Sequence, residues 1–228
     1  MQLGPLEKII GHTFKNKDFL KEALTHRSYL NERSDWGLPN NERLEFLGDA
    51  VLELITTEEL FKRFPDFTEG QLTPIRSALV NYIMMARIAR DMSLEQYILL
   101  SKGESKDVGR AREVILANAL EAIIGALYLD GGYAPAKLFI LEHVLVHLDE
   151  IMKKGLYRDA KSELQEKIQE QRKVTPSYKV LKEMGPDHAK LFTVGVFYGE
   201  ELVATGAGQS KQDAEVQAAK AALEKLTP

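Results

Sequence analysis

Residues 41–52 read NERLEFLGDAVL, and this run decides how the first half of the chain folds. On a helix, Glu42, Glu45 and Asp49 are spaced three and four residues apart, so their side chains lie on one face. The leucines and the valine of the same run fall on another face, where they can pack. Like charges at this spacing destabilise a helix modestly, so a sequence that keeps them often has a cation to bind.

A second acidic helix is predicted in residues 115–125, which read ILANALEAIIG. Asn118 and Glu121 are three residues apart and share a face, while nearly all of their neighbours are apolar. A carboxylate in such surroundings is costly unless it is paired or bound to a metal. Several alanines and a glycine allow another helix to approach closely. Packing the two helices together would gather Glu45, Asp49, Asn118 and Glu121 into an oxygen-rich site suited to Mg²⁺.

A different interpretation of both helices stays open from spacing alone. Acidic residues three or four apart usually form a solvated face, and Asn118 also suits a capping or packing role. Because the neighbours of the acidic residues are apolar, a metal site and a solvated face are about equally well supported.

The hydrophobic period divides the chain into two domains, which indicates a multi-domain α and α+β fold. Residues 1–150 are predicted to form an all-α domain, because apolar residues recur at three- and four-residue steps in 43–60, 73–91 and 114–130. Residues 151–159 are charged and contain a glycine, which is typical of a linker.

Residues 160–228 predict an α-β-β-β-α domain, in which a three-stranded antiparallel sheet is flanked by two helices. Residues 190–198 alternate in the two-residue period of a strand. The predicted elements are a helix at 160–172, strands at 177–184, 190–198 and 201–206, and a helix at 210–226.

Composition excludes several classes of protein. The chain has 228 residues and no cysteine, so disulfides, cysteine-ligated zinc and a cysteine nucleophile are ruled out. The net charge is −4, yet residues 158–228 carry 11 Lys+Arg and 11 Asp+Glu, so the first domain holds the acidic excess. The N-terminus lacks a secretory pattern, and apolar runs such as 122–129 are too short to span a membrane. We expect a cytoplasmic protein with no membrane partner.

A family resemblance rests on these motifs. The run at 41–52 is similar to the signature of the ribonuclease III family, and residues 23–28 and 115–130 resemble two further segments of that family, in the same order. The resemblance implies a Mg²⁺-dependent endonuclease, with Mn²⁺ able to substitute and no small-molecule cofactor. It implies cleavage of double-stranded RNA to 5′-phosphate and 3′-hydroxyl ends, in the processing of ribosomal-RNA precursors and structured messenger RNAs.

The resemblance also implies roles for the acidic residues. Glu45 and Glu121 would ligate the metal, and Asp49 and Glu121 would act in catalysis, Asp49 by positioning or activating the attacking water. Many family members have aspartate where this chain has Asn118, which we keep as a ligand. Because an amide oxygen carries no charge, we hypothesise that Asn118 lowers metal affinity without abolishing activity.

Two further acidic residues, Glu42 and Glu69, resemble family positions near the substrate or the dimer interface. For Glu69, an exposed acid in a turn is an equally good interpretation. The resemblance implies a homodimer in which each subunit contributes one site, so that the two sites cut the two strands of one duplex.

The second domain resembles a double-stranded-RNA-binding domain, which reads A-form RNA by shape through 2′-hydroxyls and phosphates. The implied contacts lie on the first helix, in the loop between the first two strands, and at the start of the last helix. They are Ser162, Gln165 and Glu166, then His188, then Lys211 and Gln212. Many such domains have a lysine in place of Gln212, and Asp213 adds a negative charge, which together predict modest RNA affinity.

Three alternatives to an active nuclease remain at this point. The chain could be a non-catalytic duplex-RNA-binding protein, an idea motivated by Asn118, or a purely structural helical protein. The second domain alone could be a protein-interaction module. The presence of Glu45, Asp49 and Glu121 together favours the enzyme.

Overall fold

The computed structural model divides into two compact units, Met1–Tyr157 and Arg158–Pro228. Helix α9, Leu148–Lys154, belongs to the first unit, because its Ile151 is fully buried in that unit's core. The predicted domain end at 150 therefore falls inside a helix, and the predicted linker at 151–159 begins too early. The structure describes residues 2–106, 108–155, 157, 160–186 and 190–226.

The first unit is helical, as its hydrophobic period predicts. Short 3₁₀ turns at Leu94–Gln96, Glu104–Lys106 and Leu145–His147 join some of its helices. Besides α9, its helices are α1 (Gly4–Ile10), α2 (Lys17–Ala23), α3 (Arg27–Glu32), α4 (Glu42–Arg63), α5 (Glu69–Val80), α6 (Tyr82–Asp91), α7 (Arg110–Gly131) and α8 (Tyr133–His143).

Helix α7 is the central element of the first unit, and α2, α4, α6 and α8 all pack against it. Its residues from Ile115 to Leu127 are fully or nearly fully buried, except Asn118 and Glu121, which are half-buried. By length and composition alone this helix could span a membrane, but its most apolar window is 61% buried inside the unit. Its apolar character is therefore that of a core helix.

The predicted helix at 73–91 is two helices, α5 and α6, separated at Asn81. The backbone of Asn81 is extended, with φ −71° and ψ 157°. Its side-chain oxygen accepts a hydrogen bond from the Met84 N–H at 3.0 Å, which begins α6. Apolar residues recur at three- and four-residue steps on both sides of this break, so periodicity alone did not show it.

The second unit has the predicted α-β-β-β-α order. Helix α10 spans Ala160–Arg172, and α11 spans Lys211–Leu226. Strands β1 (Pro176–Met184), β2 (Leu191–Tyr198) and β3 (Glu201–Gly208) form an antiparallel sheet in the order β1-β2-β3.

Alternation along β2 places the core of the second unit on one face of the sheet. Val194, Val196 and Tyr198 are buried, and Val196 and Tyr198 pack with Leu164 and Ile168 of α10 and with the alanines of α11. Alanines suit this position because α11 approaches the sheet closely, and a Cβ on Gly206 would lie 2.1 Å from the Ala218 nitrogen. The predicted period-2 pattern of β2 is confirmed.

Candidate active site

Two glycines bring helices α4 and α7 into backbone contact. A Cβ placed on Gly48 would lie 1.7 Å from the carbonyl oxygen of Glu121, and one on Gly125 would lie 2.3 Å from that of Leu44. No larger residue fits at either position. The turn of α4 that carries Glu45 and Asp49 is therefore fixed beside the turn of α7 that carries Asn118 and Glu121. The predicted close approach of the two helices is confirmed.

Negative charge accumulates at this crossing. Burial raises the pKa of Glu121, and the charges of Asp49 and Glu45 raise it further, to about 8. Burial also raises the pKa of Glu45, with added repulsion from Glu42 and Asp49, while a hydrogen bond with Asn118 acts in the opposite direction. Such uncompensated carboxylates favour a bound cation.

The charges of Asp49 and Glu45 act on Glu121, but the carboxylates are too far apart to coordinate one ion together. Among the described residues, no three Asp, Glu, His or Cys side chains are close enough to hold one ion. The donor set still fits a hard cation, because Glu45, Asp49, Asn118 and Glu121 all offer oxygen ligands.

A cleft of about 520 Å³ adjoins the crossing, and sequence reasoning missed it. Glu42, Glu45 and Asn118 line one part of it, and further lining comes from His26, Arg27, Asn41, Glu104, Ala111, Val114 and Ile115. The Arg27 guanidinium lies 3.6 Å from the Glu42 carboxylate. His26 caps the start of α3, where its side chain accepts a hydrogen bond from the Ser28 N–H, and its pKa is lowered, chiefly by burial. The residues that line this cleft come from separate elements, so their spacing in sequence gives no signal.

Glu69 lies apart from this cluster. It lines a pocket of about 280 Å³ together with Thr57, Phe61 and Arg76, among others, and accepts a hydrogen bond from the Thr73 hydroxyl at 3.3 Å. Thr57 and Phe61 are two to three turns along α4 from Asp49, a distance of roughly 12–18 Å at 1.5 Å per residue. Within one protomer, Glu69 is therefore not brought to the carboxylate crossing.

Three of the predicted RNA contacts of the second unit lie beside one surface depression. Ser162, Gln165 and Glu166 are exposed on α10. Ser162 and Gln165 line a depression of about 350 Å³ together with Gln212 of α11, so contacts predicted from distant segments are neighbours. The predicted contact at His188 lies outside the described residues.

Lys211, the predicted phosphate contact, begins α11 and is already paired. Its ammonium lies 3.3 Å from a carboxylate oxygen of Glu183 and 5.6 Å from the centroid of the Phe192 ring. Glu183 lies near the end of β1, directly across the sheet from Phe192. Sequence reasoning missed Glu183, because only the fold brings this end of β1 to the start of α11.

Comparison with protein families divides the chain as the structure does. A model described as Ribonuclease-III-like matches residues 16–148. A model described as Double-stranded RNA binding motif matches residues 160–226. Together these two matches span most of the chain and include both candidate sites.

Individual relatives agree over nearly the full length. The chain is 44% identical to a protein named Ribonuclease 3 from Borreliella burgdorferi, over 99% of this chain and 91% of the relative. It is 45% identical to a protein of the same name from Carboxydothermus hydrogenoformans, over 97% and 94% of the two chains. Among solved structures, the nuclease domain of a ribonuclease III from Campylobacter jejuni matches with 43% identity and a TM-score of 0.57. That match covers 63% of this chain and 96% of that one.

Proposed function

The chain belongs to the ribonuclease III family, and from this premise we propose that it hydrolyses phosphodiester bonds of double-stranded RNA at the α4–α7 crossing. The full-length relatives support the endoribonuclease activity, and the RNA-binding motif supports the double-stranded substrate. The single observation that supports the catalytic assignment is the glycine-mediated crossing, which brings the turn of α4 with Glu45 and Asp49 beside the turn of α7 with Asn118 and Glu121.

The family is metal-dependent, and the residues at the crossing fit Mg²⁺, with Mn²⁺ as a substitute. Glu45, Asn118 and Glu121 would hold the ion through oxygen atoms. When bound, it lowers the pKa of a coordinated water and stabilises the charge that develops on the phosphate. The raised pKa values of Glu45 and Glu121 support this assignment, since burial and then neighbouring negative charges raise them, and a bound cation would offset both effects.

Asp49 and Glu121 differ in exposure, which suits them to different tasks. Asp49 is exposed at the rim of the crossing, whereas Glu121 is half-buried beneath it. Asp49 can therefore accept a hydrogen bond from an incoming water and orient it towards the phosphate. Glu121 contributes a carboxylate whose ionisation is coupled to the charge of its neighbours. The expected products carry 5′-phosphate and 3′-hydroxyl ends.

A cleavage assay tests this proposal. We expect long duplex RNA to be cut with Mg²⁺ and to remain intact with a chelator, while single-stranded RNA is spared. Asp49→Asn removes the ionised carboxylate at nearly constant size and should lower the single-turnover rate by about a thousandfold, or ~4 kcal/mol in the barrier. Glu142→Gln, at an exposed carboxylate on α8, is the matched control and should cut normally. A wild-type chain that binds the duplex but never cuts it would support the non-catalytic alternative.

The outer face of α4 supports a homodimer. Phe46, Leu54 and Phe61 are 81%, 59% and 71% exposed, and on a helix they lie within one arc of about 80°. A large exposed apolar patch on a soluble unit marks an interaction site. The apolar pocket beside Phe61 adjoins this stripe and includes Glu69. A second copy seated on this face would allow Glu69 to approach the partner's active site, which it does not reach within its own protomer.

Sedimentation tests the dimer. Phe46→Asp places a charge within the proposed interface and should shift the protein from dimer to monomer at micromolar concentration. Leu138→Asp changes an exposed apolar residue on a different helix, α8, and is the matched control. It should leave the dimer intact. Equal behaviour of the two variants would remove α4 as the interface.

A further inference from the structure

The start of α11 contains a compact cluster of a cation, a ring and a carboxylate. The Lys211 ammonium lies 3.3 Å from the Glu183 carboxylate and over the Phe192 ring at 5.6 Å. Glu183 and Phe192 are cross-strand partners in β1 and β2. Both charged side chains are largely accessible, with 59% of Lys211 and 42% of Glu183 exposed. An incoming RNA phosphate can therefore reach the cluster.

We propose that Glu183 limits the affinity of this chain for duplex RNA by competing with RNA phosphate for Lys211. This inference rests on the binding of double-stranded RNA by the second unit. In this proposal Glu183 does not itself recognise RNA. It controls the strength of the contact that Lys211 makes with RNA at the start of α11.

The helix start has features that attract a phosphate. The positive end of the helix dipole and the full charge of Lys211 favour an anion there. The Asp213 carboxylate in the first turn offsets part of this, and the Asp213 N–H already donates a hydrogen bond to the Ser210 hydroxyl at 3.0 Å. Glu183 opposes phosphate binding in two ways. It occupies the ammonium that the phosphate needs, and its carboxylate stays beside the phosphate and repels it after the ion pair is broken.

The alternative role for Glu183 is to position Lys211 for RNA, and the contacts argue against it. Exposed ion pairs contribute little to the ordering of long side chains. The Phe192 ring provides a second contact that keeps Lys211 near the helix start when the carboxylate is removed. Loss of repulsion therefore outweighs loss of positioning, and neutralising Glu183 strengthens binding.

The second unit provides a matched control for this charge. Glu201, on β3, is also exposed and forms an ion pair with Arg172 at 3.4 Å, away from Lys211. Glu201→Gln and Glu183→Gln remove the same charge from the same unit at nearly constant size. A difference between them reports the location of the charge rather than the net charge of the unit.

The test measures binding of the full-length chain to a fluorescent RNA duplex of about 30 base pairs, enough to span the ~16 pairs that such a domain covers. A chelator prevents cleavage. We expect Glu183→Gln to bind about threefold to tenfold more tightly than wild type at about 50 mM salt, with the gain shrinking as salt rises. Glu201→Gln should change affinity by less than about twofold at the same salt. The double variant Glu183→Gln/Lys211→Gln should lose the gain.

Each outcome has a defined meaning. If Glu183→Gln binds more weakly, Glu183 is a positioning residue and the proposal is overturned. Equal gains for Glu183→Gln and Glu201→Gln overturn it as well, because net charge then suffices. If wild type binds the duplex while Glu183→Gln leaves its affinity unchanged, this inference alone fails. A chain that binds no duplex in any variant refutes the assigned RNA function itself, and this inference with it.

Discussion

The carboxylate crossing and the RNA-contact region place their functional groups by opposite means. At the crossing, backbone contact at Gly48 and Gly125 fixes the backbone positions from which the acidic side chains extend. In the described part of the chain, the interactions that shift the pKa values of Glu45 and Glu121 include no cation. In the second unit, long exposed side chains carry the contacts, and Lys211 is paired with a carboxylate. The first region is therefore sensitive to a change of shape, and the second to a change of charge.

The largest effect is expected from breaking the backbone contact. Gly48→Ala would place a methyl group 1.7 Å from the Glu121 carbonyl oxygen. The two helices must separate, so we expect a loss of about 3 kcal/mol or more in the free energy of unfolding, together with loss of cleavage. Denaturant titration measures the stability.

Gly70→Ala is the matched control, because Gly70 lies in α5 with no atom closer than 4.0 Å to the added methyl group. We expect it to be neutral or to stabilise by up to about 1 kcal/mol. A Gly48→Ala chain as stable as wild type would show that the crossing tolerates a wider separation.

The next effect concerns the pH dependence of stability in a chelator. The pKa of Glu121 is about 8 in the folded chain against 4.5 as its ordinary value. Between these two values the folded state binds more protons than the unfolded state, so stability should fall as pH rises through this range. Glu121→Gln is neutral throughout and should flatten the slope. Melting temperatures across this range measure it.

Added Mg²⁺ should stabilise the wild-type chain most at the alkaline end of that range, where Glu121 is ionised. Glu142→Gln should retain the wild-type slope, since Glu142 is exposed on α8. A wild-type slope in Glu121→Gln would assign the pH dependence to other groups.

A smaller effect is expected when the carboxylate set is completed. Asn118→Asp adds a fourth charge beside Glu45, Asp49 and Glu121, so we expect the affinity for Mg²⁺ to rise about tenfold. In a chelator the same variant should melt at a lower temperature, because repulsion increases. Calorimetric titration and the Mg²⁺ dependence of cleavage measure the gain. An unchanged Mg²⁺ dependence would contradict the hypothesis that Asn118 weakens the site.

The smallest effect is expected on the RNA-contact region. Gln165→Ala removes one exposed polar group from α10 and should weaken duplex binding about threefold, as expected for one hydrogen bond of ordinary strength. Gln171→Ala changes the same residue type on another face of the same helix and should have no effect. If both variants weaken binding equally, the predicted face of α10 is wrong.

The two regions also differ in what the sequence could predict. The helical period and the small residues around Glu121 predicted that α4 and α7 pack together, because both signals lie within single elements. The break at Asn81 was missed, since apolar residues recur at three- and four-residue steps on both sides of this extended residue. The end of the first unit was placed too early, because the charged residues after Ile151 are typical of a linker although Ile151 itself is buried.

The sequence did not predict which side chains of distant segments form pairs. Nothing in the local pattern connects Glu183 with Lys211, or Arg27 with Glu42, because each pair forms only when the fold brings two elements together. The roles of Glu42, Glu45, Asp49, Asn118 and Glu121 stay predictions. The structure supplies their placement, and the experiments above test what they do.

The carboxylates and the apolar stripe occupy adjacent faces of helix α4, and Glu45 is followed directly by Phe46. If two copies associate through the stripe, dimerisation and catalysis depend on the same helix. Specific activity would then fall on dilution, in step with the monomer fraction, even under conditions in which each separate chain remains folded.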